Sequence, residues 1–181
     1  MSPLFFAGPL LVAHFVTPSR EIRSHGIVVH ATPTEIEVTA HGTTQRIPLG
    51  SHGISPWMLL QSIEIVDANF DGSPDISVLR DVFLWDGHRF TNDSHLAREL
   101  SNLSNATFEP RTHTITTRNI GPSNPSRITY TVDRSGLREL TSCRFLNPMD
   151  EHVGTLVRTR NGHATYTKAR VGANEQDPCA L

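Results

Sequence analysis

The sequence is short of the features that most readily disclose a function. It has 2 cysteines in 181 residues, with no C-x-x-C and no Cys/His pair at zinc-finger spacing. Neither a cysteine-dense secreted scaffold nor a zinc finger fits that count. No run of 18 apolar residues occurs, so no segment reads as a membrane-spanning helix. An excess of one charge is lacking too: 16 Lys plus Arg face 18 Asp plus Glu, for a formal net charge of −2. A dedicated nucleic-acid binder would carry a basic excess. At 19% charged residues, the chain is also poor in charge for a helix-rich cytosolic protein.

Enzyme signatures are equally scarce. There is no G-x-S-x-G elbow, P-loop, G-x-G-x-x-G or H-E-x-x-H. Ser51-His52-Gly53 defines no triad. Glu64 and Asp67 lie close in sequence, but Asp67 serves better as a metal ligand than as half of a glycosidase pair. The ten histidines are scattered. The chain reads as a non-enzyme.

What is present is β character. Hydrophobic residues make up 37%, too many for a disordered chain, and 12 Gly and 12 Pro are spread along its length as turns between short elements. Residues 35–40 alternate Ile36, Val38 and Ala40 with polar side chains, the period of a half-buried strand. Residues 22–30, 45–49, 62–66, 76–79 and 82–85 have similar character, 45–49 pairing with 35–40 across residues 41–44. Residues 112–117, 127–132, 137–145, 152–160 and 163–171 follow. Asp86-Gly87, Ser135-Gly136 and Asn161-Gly162 supply hairpin tips. Over residues 94–103, Leu96, Leu100 and Leu103 recur at helical spacing behind Ser94 as N-cap, with Asn102 or Asn105 to end the helix. The expected fold is an all-β antiparallel meander, propeller-like or lysozyme-inhibitor-like, with one short helix. Residues 1–173 form a single β domain, and 174–181 a frayed C-terminal tail.

The ends leave alternatives open. Residues 1–16 are apolar, but the first cation is Arg20, after the apolar stretch, so no basic n-region precedes it. Residues 9–16 read as a first strand, with an incomplete export signal as the alternative. Cys143 and Cys179 are either two buried thiols or one disulfide, and the second would require an oxidising compartment.

One motif is sharp. Residues 67–75, DANFDGSPD, have the form D-x-N-x-D-G-x-x-D. Asp67, Asn69 and Asp71 place side-chain oxygens around one tight loop, Gly72 permits the turn, Ser73 offers a backbone carbonyl, and Asp75 binds directly or through water. Three carboxylates in nine residues repel one another without a cation. Oxygen-only ligands favour Ca2+ over zinc. The loop is not an EF-hand, because Val78 stands where the bidentate Glu would be. Its flanks read as strands, and its few carboxylates suit the weak affinity of extracellular modules.

The string from Ile63 to Ile76 around this loop, followed by FLWDGHRF over 83–90 and a Leu-rich helix, resembles a family of bacterial cell-envelope proteins. These are the periplasmic immunity proteins paired with type IV secretion effectors in xanthomonads, related to the periplasmic inhibitors of invertebrate-type lysozyme. The resemblance spans about residues 62–140, with weaker similarity towards 170. It implies a calcium-binding, periplasmic or secreted protein that blocks a peptidoglycan hydrolase, with Asp67, Asn69, Asp71, Ser73 and Asp75 as ligands. Loops 50–57 and 119–127, rich in Pro, Gly and Ser, are the expected partner-facing segments. The alternative is a calcium-stabilised adhesion or carbohydrate-binding module.

Overall fold

The computed structural model describes residues 17–50, 53–119, 125–146 and 153–170, together with Cys179. Within them the chain runs as an antiparallel meander, as its alternation predicts, folded into three sheets of consecutive strands. The sheets are open, and none closes into a barrel among the described residues.

The first sheet is β1 (Arg20–Ser24), β2 (Ile27–Ala31), β3 (Glu35–Ala40) and β4 (Thr43–Pro48), paired in that order. The expected strand over 22–30 is thus a hairpin. His25 and Gly26 both take positive φ, 50° and 77°, the turn whose twist matches antiparallel strands. His41 and Gly42, at 50° and 80°, form the equivalent two-residue turn between β3 and β4, where the sequence reading had a four-residue connection.

The structure has two helices among the described residues, not one. The last two residues of the expected loop 50–57 open α1 (Pro56–Gln61), with Ser55 as N-cap accepting from the Met58 N–H. Proline at the first helical position loses nothing, since its missing N–H would be unpaired there anyway. At the other end, the Arg20 guanidinium donates to the carbonyls of Leu60 (2.7 Å) and Gln61 (3.0 Å), so β1 caps α1.

The second sheet holds β5 (Ile63–Val66), β6 (Asp75–Val78), β7 (Asp81–Trp85) and the two-residue β8 (Phe90–Thr91). It is covered on both faces, which is why Val82, Phe83 and Leu84 are buried in succession instead of alternating. Ile63, Ile76, Val78 and Phe83 pack against the first sheet and α1, forming one core with Val29, Ile36, Val38 and Leu60. The Gln45 side-chain amide fixes that contact, donating to the Phe90 carbonyl and accepting from its N–H, each at 2.8 Å.

On the other face, Ala68, Val82 and Leu84 pack with Ala97 and Leu100 of α2 (His95–Ser101) and with Ile115. As expected, Ser94 caps α2 and Asn102 ends it. Ser101 and Glu99 tie the helix down: the Ser101 hydroxyl accepts from the Val82 N–H (3.0 Å), and the Glu99 carboxylate from the Leu137 N–H (3.0 Å).

The third sheet runs β9 (Ala106–Glu109), β10 (Thr114–Asn119), β11 (Ser126–Asp133), β12 (Gly136–Leu146), β13 (Val153–Arg160) and β14 (His163–Arg170). A small outer core gathers Phe145, Leu156 and Cys179. Cys179 is disulfide-bonded to Cys143, with Cα atoms 5.6 Å apart. The disulfide alternative is the one the structure takes, and the expected frayed tail is pinned at that point. The expected strand over 9–16, the junction at residue 173 and the rest of the tail lie outside the described residues. No helix among the described residues is long and apolar enough to cross a membrane.

Candidate metal centre

The acidic loop lies where sequence analysis puts it, joining β5 to β6 at the register pair Val66–Asp75. Its conformation is set by its own side chains. The two carboxylate oxygens of Asp67 accept the N–H groups of Asp71 (3.1 Å) and Gly72 (3.0 Å). The Asn69 side-chain oxygen also accepts from the Asp71 N–H (3.0 Å), and its amide donates to the Asp71 carboxylate (2.9 Å). Asp71 in turn accepts from the Ser73 N–H (2.7 Å). Gly72 sits at φ 86°, a conformation that a Cβ disfavours.

Phe70, also at positive φ (61°), projects from the loop and stacks on His113 with ring centroids 5.4 Å apart. The loop is therefore fastened to the turn between β9 and β10. The neighbouring Ala68 is fully buried.

Asp75 behaves differently from the other four candidates. It is completely buried, and its two oxygens accept the N–H groups of Ala68 (2.9 Å) and Trp85 (2.8 Å). One carboxylate thereby joins the loop to β7. Burial pushes its pKa up to about 7; the two backbone hydrogen bonds pull the other way, and the charges of Asp71 and Asp67 add to the rise. The anchoring role was not read from the sequence, because it depends on a partner ten residues away.

The structure thus brings Asp67, Asn69 and Asp71 together in one hydrogen-bonded loop, with Ser73 at its exit and Asp75 facing inward beneath it. Among the described residues, no group of three or more His, Cys, Asp or Glu side chains already converges as a metal cage. The donor chemistry still fits a hard cation. All candidate ligands are oxygens, and Asp67, Asn69 and Asp71 each have carboxylate or carbonyl lone pairs beyond the hydrogen bonds they accept.

The two loops expected to face a partner are described only in part. Of 50–57, Pro56 and Trp57 belong to α1, and Trp57 is 64% exposed. Of 119–127, Asn119 closes β10, and Ser126 and Arg127 open β11. Residues 51–52 and 120–124 lie outside the described residues.

No protein-family model and no curated protein matches the chain. A solved structure described as that of a Xanthomonas type IV secretion system related protein is similar to it at 18% identity, covering 83% of this chain and 85% of that one, with a TM-score of 0.43.

Proposed function

We propose that this protein is a calcium-stabilised binding protein of the bacterial cell envelope that inhibits a peptidoglycan hydrolase and performs no catalysis itself. The observation that carries the reading is the β5–β6 loop, where Asp67 gathers the N–H groups of Asp71 and Gly72 and leaves an all-oxygen donor set around a tight turn. That loop is the part of the chain through which the resemblance to immunity proteins runs. Asp67, Asn69 and Asp71 would hold the ion through side-chain oxygens and Ser73 through its carbonyl, with Asp75 serving from below. The Cys143–Cys179 disulfide supports a periplasmic or secreted location, since such bonds persist in oxidising compartments.

Two measurements test this reading. Calcium should raise the melting midpoint and EDTA reverse it, while Asp71→Ala should remove the response; a variant still stabilised by calcium would refute the ligand assignment. In a turbidity assay, the protein should slow the clearing of peptidoglycan by a lysozyme-type hydrolase encoded beside its gene. Clearing at an unchanged rate with the protein in excess rules out inhibition. The exposed Trp57 favours a second reading, a carbohydrate-binding module, because exposed aromatic faces suit sugar rings. In that case the protein would co-sediment with a glycan without slowing its hydrolysis.

A further inference from the structure

One face of the third sheet, beside the Phe145–Leu156 pair, carries a cluster of cations and hydroxyls. The pairing of β11 to β14 sets Arg127, Cys143, Arg158 and Thr165 in one row across the four strands. The next row on the same face is Thr129, Thr141, Arg160 and His163. Together with the Cys143–Cys179 disulfide, which lies between Arg127 and Arg158, they line a cavity of about 740 Å3.

No Asp or Glu lines it among the described residues. Two carboxylates of the same strands are engaged elsewhere: Asp133 pairs with Arg138 at 3.0 Å and Glu139 with Arg144 at 3.4 Å. Arg127, Arg158 and Arg160 therefore share this lining without a carboxylate partner among the described residues, Arg127 being separated from Arg158 by Cys143, in a chain whose net charge is −2. Arg158 and Arg160, two residues apart on one strand, have Cα atoms roughly 7 Å apart, and Arg127 stands about 10 Å away across β12. Like charges so placed repel, and their long side chains can converge on a shared anion.

The rest of the lining narrows the ligand. Guanidinium groups match the oxygens of a phosphate in forked pairs. Thr129, Thr141 and Thr165 add hydroxyls that both donate and accept, as sugar hydroxyls require. Thr165 is held in place by donating to the Arg158 carbonyl at 3.2 Å. No aromatic ring other than the His163 imidazole lines the cavity among the described residues, so a nucleobase would have little to stack on. The volume lies in the range of small-molecule sites. We propose that this face binds a phosphorylated sugar, with its phosphomonoester among Arg127, Arg158 and Arg160 and its hydroxyls on the threonines. The group is the same whether the sugar phosphate is free or ends a glycan chain. The site is independent of hydrolase inhibition and of the calcium loop.

Isothermal titration calorimetry at low salt tests it, with glucose 1-phosphate as probe and inorganic phosphate and glucose as controls. Glucose 1-phosphate should bind at one site per chain, phosphate more weakly, and glucose not at all. Arg158→Gln and Arg160→Gln should each weaken binding by about tenfold or more. Both positions are exposed, so the variants should keep the wild-type melting midpoint. An oligosaccharide carrying the same 1-phosphate distinguishes the sources: tighter binding assigns the glycan end, and equal binding the free sugar phosphate. The proposal is overturned by no binding at about 10 mM probe, by phosphate binding as tightly as glucose 1-phosphate, or by affinity unchanged in both arginine variants.

Discussion

Asp75→Asn separates the two demands placed on one buried carboxylate. Wild-type Asp75 is fully buried with a pKa raised from 3.8 to about 7, chiefly by burial. Its folded pKa exceeds the unfolded one, so the folded state holds the proton more tightly. Stability through this group is full below about pH 4 and is lost as pH rises towards 7, at about 1.4 kcal/mol per unit. From pH 5 to pH 8 the wild type therefore loses about 3 kcal/mol at this position. Asparagine is neutral throughout, so the variant lacks that slope. It also has one acceptor oxygen where Asp75 uses two, for Ala68 and Trp85. One buried N–H is left facing an amide NH2, at a cost of about 1–3 kcal/mol.

The two terms oppose each other, and pH decides between them. At pH 5 the variant should be less stable than wild type by about 1–3 kcal/mol. At pH 8 it should equal the wild type or exceed it by up to about 2 kcal/mol. Urea unfolding in calcium-free buffer at both pH values measures the difference, and every other titrating group is common to both proteins. A stability difference that is the same at pH 5 and pH 8 would refute the raised pKa. Saturating calcium should flatten the wild-type decline, because a nearby cation favours the ionised carboxylate.

Other expectations follow from particular contacts. Reducing the Cys143–Cys179 bond, which closes a separation of 36 residues, should lower stability by about 4 kcal/mol on the chain-entropy model; an unchanged urea midpoint with reductant would contradict it. Gly154→Ala should destabilise by about 1–3 kcal/mol, because a Cβ there would come within 2.5 Å of the Phe145 ring and 2.6 Å of the Leu146 carbonyl; thermal melting reads this directly. Hydrogen exchange in EDTA should rise in the loop and at the β9–β10 turn, where Phe70 stacks on His113, and stay low in β2 and β3. Uniform loss of protection would mean that the loop supports the whole fold rather than one contact.

The sequence was most readable where a local rule acts alone. β3 follows from strict alternation of Ile36, Val38 and Ala40, and α2 from leucine spacing behind a serine cap. The acidic loop was legible because its partners lie within nine residues. Other features carry a weaker local signal. Ser55-Pro56 is a helix start, yet six residues are too few to display a helical period. His25-Gly26 is a turn in the middle of what looks like one apolar strand. Features that depend on pairing between distant strands had no local signal. The link from Asp75 to Trp85 needs β6 beside β7. The arginine face needs four strands in register, although the Asn161-Gly162 tip already sets Arg160 opposite His163.

The acidic loop and the arginine face meet different physical demands. At the β5–β6 loop, carboxylates are concentrated where the central sheet meets the third one. The loop is fastened there from two sides: Asp75 holds the Trp85 N–H of β7, and Phe70 stacks on His113 beyond β9. A cation bound at that point would act on the seam between two sheets, which is a structural task. On the outer strands the sign is reversed. Arginines stand on an exposed face, away from the two main cores and braced by a disulfide. Among the described residues, no carboxylate of the third sheet pairs with them, and exposed Thr or Ser would fill the same positions without mutual repulsion. Charge without a carboxylate partner among the described residues, gathered on one face, is a reason to look for a ligand. At the loop, by contrast, the hydrogen bonds of Asp75 already give the charge a role in the fold.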